Sequence, residues 1–216
     1  LPHVLLPNPE APLERLDAVA YGPGLGGGAL NAELQDFPGL LLLDADGLNR
    51  LAAQANVKSW LQRRRGPTWL TPHAAEFNRL FPELAELPPI DAARQAAQQS
   101  QCWVLLKGAH TLIASPHGQL RQVMQSDAWA ARAGLGDVLS GYAAGLGAMA
   151  LASGLNPAED RFEGLLALAA LAHANAGREQ SQAGNGAASP LAIAQKLQKN
   201  KIADVFEQTD DNLKLQ

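Results

Sequence analysis

Cysteine is nearly absent from this 216-residue chain, and its one copy, Cys102, has no partner for an internal disulfide. It stands in the apolar run Cys102-Trp103-Val104-Leu105-Leu106, so it reads as a small buried hydrophobe in a protein of the reducing cytosol. Positive charge is also scarce. Lysine and arginine number 17 against 21 acidic residues, a net charge of -4, and no long basic run exists beyond Arg63-Arg64-Arg65. Nucleic acid is therefore not an expected partner. Long apolar runs are missing as well. The uncharged stretch from Val138 to Gly154 is glycine- and alanine-rich and directly preceded by Asp137. It falls short of the roughly 20 strongly apolar residues that cross a bilayer, and a buried core helix is expected instead of a membrane span. The opening residues, Leu1-Pro2-His3-Val4-Leu5-Leu6-Pro7, lack a basic start and carry prolines, so no secretory signal is expected. With 47% hydrophobic residues and neither repeats nor long linkers, residues 1–216 are expected to form one domain with a full core.

What is present is an alternation of short apolar runs with helical patterns. Leu16 to Tyr21 feeds the loop Gly22-Pro23-Gly24-Leu25-Gly26-Gly27-Gly28, followed by a short expected helix around Ala29 to Phe37. Leu40-Leu41-Leu42-Leu43 ends at Asp44-Ala45-Asp46, and a continuously apolar strand implies burial on both sheet faces. Trp69-Leu70-Thr71-Pro72-His73 leads to a helix over Ala74 to Phe81. A helix over 90–100 then leads to Trp103-Val104-Leu105-Leu106-Lys107-Gly108. Four strands that end in polar residues or glycine predict an α/β fold with a mostly parallel sheet flanked by helices, its ligand crevice along that edge. His110 to Ala114 and Gln119 to Met124 read as an antiparallel hairpin at the sheet edge. Helices are expected over Asp137 to Ser153, Phe162 to Gly177 and Pro190 to Gln198, with Gln180 to Gly186 as a mobile loop.

The densest chemistry lies in Arg132-Ala133-Gly134-Leu135-Gly136-Asp137-Val138-Leu139-Ser140-Gly141. A glycine turn at a helix start frees backbone N–H groups to point at an anion, and the helix dipole adds to their field. A carboxylate beside such an anion hole can act as base toward a hydroxyl attacking a terminal phosphate. Asp137 also suits an ordinary helix cap after a flexible loop, and both readings stand at this point.

Five blocks occur in order: Gly22-Pro23-Gly24-Leu25-Gly26, Leu43-Asp44-Ala45-Asp46-Gly47-Leu48-Asn49, Leu70-Thr71-Pro72-His73 with Glu76-Phe77, Leu106-Lys107-Gly108-Ala109-His110-Thr111, and Gly134 to Gly141. Together they resemble the ADP- or ATP-dependent NAD(P)H-hydrate dehydratases of the ribokinase-like superfamily. The resemblance implies a ribokinase-like domain that repairs hydrated NADH and NADPH, phosphorylating the hydroxyl on the reduced nicotinamide ring and then eliminating phosphate. It implies Asp137 as the residue that activates the hydroxyl, and Gly134, Leu135 and Gly136 as the anion hole. Lys107, Gly108, Ala109, His110, Thr111 and Gly136 would bind the nucleotide; Gly24, His73 and Asp137 would meet the hydrated dinucleotide. ADP or ATP and Mg2+ are the implied cofactors, with the protein ligands of the metal unassigned. Asp44, Asn49 and Glu76 are lesser candidates for magnesium or water.

Each residue has a plainer reading. Lys107 can be a solvated charge at a strand end; His73 and Glu76 can serve the first turn of the following helix, and Asp44 and Asp46 can form a turn. Small-molecule kinases of the same superfamily, and a non-catalytic nucleotide-binding homologue, are the alternative functions. The chain departs from the family in having no counterpart of the usual N-terminal strand-helix-strand stretch, so a fragment, a cleaved product or a naturally shortened member is expected. Trp129 in Asp127-Ala128-Trp129-Ala130-Ala131-Arg132 replaces a usual glycine, and the usual Pro-Gly pair between His73 and Glu76 is missing. A homo-oligomer is expected, since a shortened open sheet leaves an edge for another subunit to cover.

Overall fold

The computed structural model describes residues 12–124, 134–157, 160–183 and 189–199. Leu1 to Glu10, the loop Asp127 to Arg132 and Gly184 to Gly186 lie outside them. Six strands form one sheet in chain order: β1 (Ala18–Tyr21), β2 (Leu40–Leu43), β3 (Thr68–Leu70), β4 (Trp103–Leu106), β5 (Thr111–Ala114) and β6 (Leu120–Val123). The first four run parallel, with Tyr21 opposite Leu43, Leu43 opposite Leu70 and Leu70 opposite Val104. β5 and β6 return antiparallel, the expected hairpin.

The four leucines of β2 show why the sheet has two covered faces. Leu41 and Leu43 join one core with Leu70, Val104 and Leu106, while Leu40 and Leu42 join the other with Trp69, Trp103 and Leu105. The first face is covered by α1 (Asp46–Ala52), α2 (Val57–Gln62), α3 (Ala74–Leu80) and α4 (Pro89–Ser100), which contribute Leu48, Trp60, Phe77 and Ala96. The second is covered by α5 (Leu135–Ala152) and α6 (Asp160–Ala183), with α7 (Pro190–Lys199) packed on both. Alternation of side chains along a strand sends neighbours to opposite faces, so an all-leucine strand fills both cores at once.

α5 is long and apolar enough to cross a membrane by length and composition, yet it packs against β1, β2, α6 and α7. Its glycines explain the fit. A Cβ at Gly147 would fall 2.2 Å from Leu40 Cδ2 and 3.2 Å from the Trp69 ring, so glycine lets the helix settle onto the sheet. Beneath it, Phe162 of α6 packs its ring against Trp69 and Trp103 at 5.5 and 5.6 Å.

Two expectations are corrected, and two short helices are added. The helix around Ala29 to Phe37 is only a 3-10 turn, Ala32–Gln35, started by the Asn31 side chain accepting from Glu33 N–H and burying Leu34 alone. A single buried residue gives no apolar stripe to stabilise a longer helix. α1 and α2, seven and six residues long, were not anticipated. The expected loop at Gln180 is helical through Ala183, where Ser181 turns its hydroxyl back onto the Gly177 carbonyl at 3.0 Å.

Candidate active site at the carboxyl edge of the sheet

The parallel strands deliver their next residues to one edge, and backbone bonds hold these residues in line. Asp44 N–H donates to the Tyr21 carbonyl at 3.1 Å, Thr71 N–H to Leu43 at 3.1 Å, and Lys107 N–H to Pro72 at 2.8 Å. At the centre of this edge Asp44 is buried, 2% exposed. Its Oδ1 accepts from Lys107 Nζ at 2.6 Å and from Ala45 N–H at 2.9 Å, and its Oδ2 accepts from the Ser140 hydroxyl at 2.5 Å. This one carboxylate therefore ties the ends of β2 and β4 to the first turns of α5. A buried carboxylate needs such partners, because an unpaired charge removed from water is strongly unfavourable.

The helix start above it is formed by glycine. Gly134 precedes α5 in the left-handed region at φ 85°, and no side-chain cap is made there among the described residues. The first intrahelical bond is Val138 N–H to the Gly134 carbonyl, which leaves the N–H groups of Leu135, Gly136 and Asp137 ahead of it. A Cβ at Gly136 would stand 3.6 Å from Asp44 Oδ2 and 3.7 Å from Lys107 Nζ, so the turn lies directly over the ion pair. Asp137 is exposed in the first helical turn. Behind the turn, His173 of α6 hydrogen-bonds the Leu135 backbone, and burial pushes its imidazole down to about 4.

Strain marks the same place. Ala45 adopts φ 47°, ψ -119°, a region that L residues with a Cβ avoid, immediately before α1. It lets the chain turn sharply while its N–H stays on Asp44.

The residues singled out in the sequence divide into groups. Lys107, Asp44 and Gly136 come together with Ser140, and His73 forms a bridge to Lys107. His73 does cap α3: its Nδ1 accepts from Ala75 and Glu76 N–H at 3.1 and 3.4 Å, while Glu76 accepts from His73 N–H at 2.8 Å. Its Nε2 stands 3.4 Å from Glu76 Oε1, and the ring is about half exposed. The plainer reading of this His-Glu pair is thus realised as a capping box. Asn49 accepts from Arg79 at 3.0 Å, joining α1 to α3. Gly108, Ala109 and His110 form the exposed turn from Lys107 into Thr111 of β5. Gly24 lies on the exposed loop after β1, at φ 71°.

Sequence reasoning missed the bond from Ser140 to Asp44, the link from His173 to Leu135, and Arg50. Ser140 follows Asp137 by three residues, and the signal available was a hydroxyl on a helix otherwise made of small and apolar residues. A lone histidine in an alanine-rich helix gave no comparable signal.

No group of three or more His, Cys, Asp or Glu side chains is placed to hold a metal among the described residues. Asp44 already accepts from Lys107, Ala45 and Ser140, and Asp46 Oδ2 accepts from Gly26 N–H at 2.7 Å. That donor set suits a magnesium ion carried chiefly by nucleotide phosphates and water, with few protein ligands.

Residues 5–199 match the family model Carb_kinase, described as NAD(P)H-hydrate dehydratase. The chain belongs to the NAD(P)H-hydrate dehydratase family. Over 152 residues it is 48% identical to the bifunctional NAD(P)H-hydrate repair enzyme Nnr of Gloeobacter violaceus, a match covering 69% of this chain and 28% of that protein. Among solved structures, a ribokinase-like superfamily protein from Enterococcus faecalis aligns with a TM-score of 0.70 at 24% identity, over 86% of this chain and 62% of that one. The ADP/ATP-dependent NAD(P)H-hydrate dehydratase of Bacillus subtilis, crystallised with ATP and Mg2+, aligns with a TM-score of 0.62 at 24% identity, over 89% and 64%. The ribokinase-like fold of this family member is thus shown, and the chain spans under a third of that curated relative's length.

Proposed function

We propose that this chain catalyses nucleotide-dependent dehydration of hydrated NADH and NADPH. The observation that carries the reading is the uncapped start of α5, with exposed Asp137 in its first turn and the Lys107–Asp44 pair beneath Gly136. Backbone N–H groups at a helix start with a lysine beside Gly136 suit a transferring phosphoryl group, and a neighbouring carboxylate suits the hydroxyl that attacks it.

Gly134, Leu135 and Gly136 hold the phosphoryl group, and Lys107 with the Gly108-Ala109-His110-Thr111 turn flanks the nucleotide. Asp137 takes the proton of the ring hydroxyl as its oxygen bonds to the terminal phosphorus of ATP or ADP, and the bond from that phosphorus to the rest of the nucleotide breaks. The new ring phosphate then leaves with the C–O electron pair while a neighbouring ring carbon loses a proton, which restores the double bond of the dihydronicotinamide. Gly24 and His73 contact the dinucleotide. Magnesium, where bound with the nucleotide, would supply charge neutralisation for the transferring phosphoryl group.

In this reading residues 1–216 act as one ribokinase-like domain in the cytoplasm, and a second copy covers the β1 edge, whose residues are only partly buried. The test incubates the chain with hydrated NADH, Mg2+ and either ADP or ATP and follows the return of dihydronicotinamide absorbance. Recovery with a nucleotide present and none without it supports the reading. Bound nucleotide with no recovery overturns it, and transfer to a sugar or vitamin-like hydroxyl instead identifies the kinase alternative.

A further inference from the structure

We propose that Arg50 of α1 is a positioning residue that fixes the shape of the Gly22–Gly28 loop and thereby the surface that meets the dinucleotide. The inference rests on the preceding reading for what the loop contacts, and on the structure for how the loop is held. Five of its seven residues are glycine, and Gly22, Gly24, Gly26 and Gly28 all have positive φ, at 136°, 71°, 64° and 138°. Such a segment loses more conformational entropy on ordering than any other composition, and it has almost no side chains with which to hold itself.

The hold arrives from the neighbouring helix. Arg50 Nη2 donates to the carbonyls of Leu25, Gly26 and Gly27 at 2.8, 3.1 and 3.0 Å, and Nε reaches the Gly26 carbonyl at 3.2 Å. Nη1 donates to the Tyr21 hydroxyl at 2.8 Å and to the Ala29 carbonyl at 3.4 Å, with the guanidinium carbon 5.8 Å from the Tyr21 ring centre. One turn earlier on the same helix, Asp46 accepts from Gly26 N–H at 2.7 Å. The loop is therefore gripped at carbonyls and at an amide from a single side.

Its other side is open among the described residues. A Cβ built at Gly24, Gly26 or Gly27 meets none of their atoms within 4 Å, whereas one at Gly28 would lie 3.3 Å from Arg50 Nη2. A face pinned from behind and open in front is what a ligand-shaped backbone surface requires. Only a planar fork spans several carbonyls at once. Lysine presents a compact point of charge and cannot replace it.

The experiment compares the full chain with Arg50→Lys and Arg50→Ala by hydrogen exchange at the amides of Leu25 to Gly28 without substrate, and by steady-state kinetics with hydrated NADH, ATP and Mg2+. Both variants are expected to exchange faster there by about tenfold or more, and to raise KM for the dinucleotide by a similar factor, with kcat and KM for ATP little changed. Added methylguanidinium is expected to recover part of the loss in Arg50→Ala. Unchanged loop exchange in both variants overturns the proposal, as does a uniform loss that alters both KM values together with exchange across α1. If the unmodified chain does not turn over hydrated NADH, the dehydratase reading fails. Loop exchange then still decides whether Arg50 sets the loop.

Discussion

Two glycine-rich segments reach the same sheet edge and owe their order to different sources. The Gly22–Gly28 loop is exposed from Gly24 onward and is shaped by side chains from outside it, Arg50 and Asp46. The Gly134–Gly136 turn is the end of an 18-residue helix and inherits its place from that helix, from the Asp44–Lys107–Ser140 cluster below, and from Pro190, whose Cγ would lie 3.3 Å from a Cβ on Gly134. Similar glycine content thus conceals different sources of order. The loop is held by side chains of one neighbouring helix, α1, and the turn by the helix it begins and the ion pair beneath it.

Alanine breaks the comparison most sharply. At Gly22 a Cβ would sit 1.7 Å from the Asp44 carbonyl oxygen with φ at 136°, and Gly22→Ala is expected to destabilise the fold by about 4 kcal/mol or more. At Gly136 the nearest atoms are 3.6 Å away, and Gly136→Ala is expected to leave urea stability within about 0.5 kcal/mol. Similar losses at both positions would show that the two segments are held alike.

Next in size is the pair beneath the turn. Lys107→Met leaves Asp44 buried with an uncompensated charge, and a loss of about 3 kcal/mol is expected in urea denaturation, partly recovered in Lys107→Met/Asp44→Asn. Equal losses in the single and double variants would remove the ion pair from the account.

The turn should also respond to acid. Burial lowers the His173 pKa from 6.5 to about 4, the bond to the Leu135 backbone opposing that shift, so the unfolded chain binds the proton first on acidification. Stability from this group is complete above about pH 6.5 and is lost as the pH falls toward 4, by up to about 3 kcal/mol. His173→Gln should flatten that part of the stability profile, and an unchanged acid slope would show that His173 is not its source.

The smallest effect concerns strain. Ala45→Gly relieves a backbone angle of φ 47° and is expected to stabilise the chain by about 1 kcal/mol in the same urea measurement. Destabilisation would mean that the turn before α1 carries little strain.

The sheet was legible because β2 and β4 are continuous apolar runs that end in polar residues, a pattern that only strands buried on both faces require. The glycine turn before Asp137 was legible because glycine and aspartate at a helix start have a direct chemical meaning. Less was readable where order depends on long-range contacts. Asp44 and Ser140 are 96 residues apart, and Arg50 acts on carbonyls that bear no sequence signature. His73 shows the intermediate case: a histidine followed by a glutamate three residues on signals a helix cap and a ligand contact equally, and the capping geometry is the part now visible. α1 and α2 escaped although α3, equally short, was read; α3 follows Pro72 and opens with the His73–Glu76 capping pair, a start signal that α1 does not carry.

The most direct measurement of the central claim compares the chain with Asp137→Asn, measuring both the recovery rate of hydrated NADH and the Kd for ATP with Mg2+. Recovery is expected to fall by about a hundredfold or more while the Kd stays within about threefold, because the amide keeps the helix start intact and removes only the proton acceptor. Recovery retained at close to the original rate would contradict it and place the base elsewhere on the sheet edge.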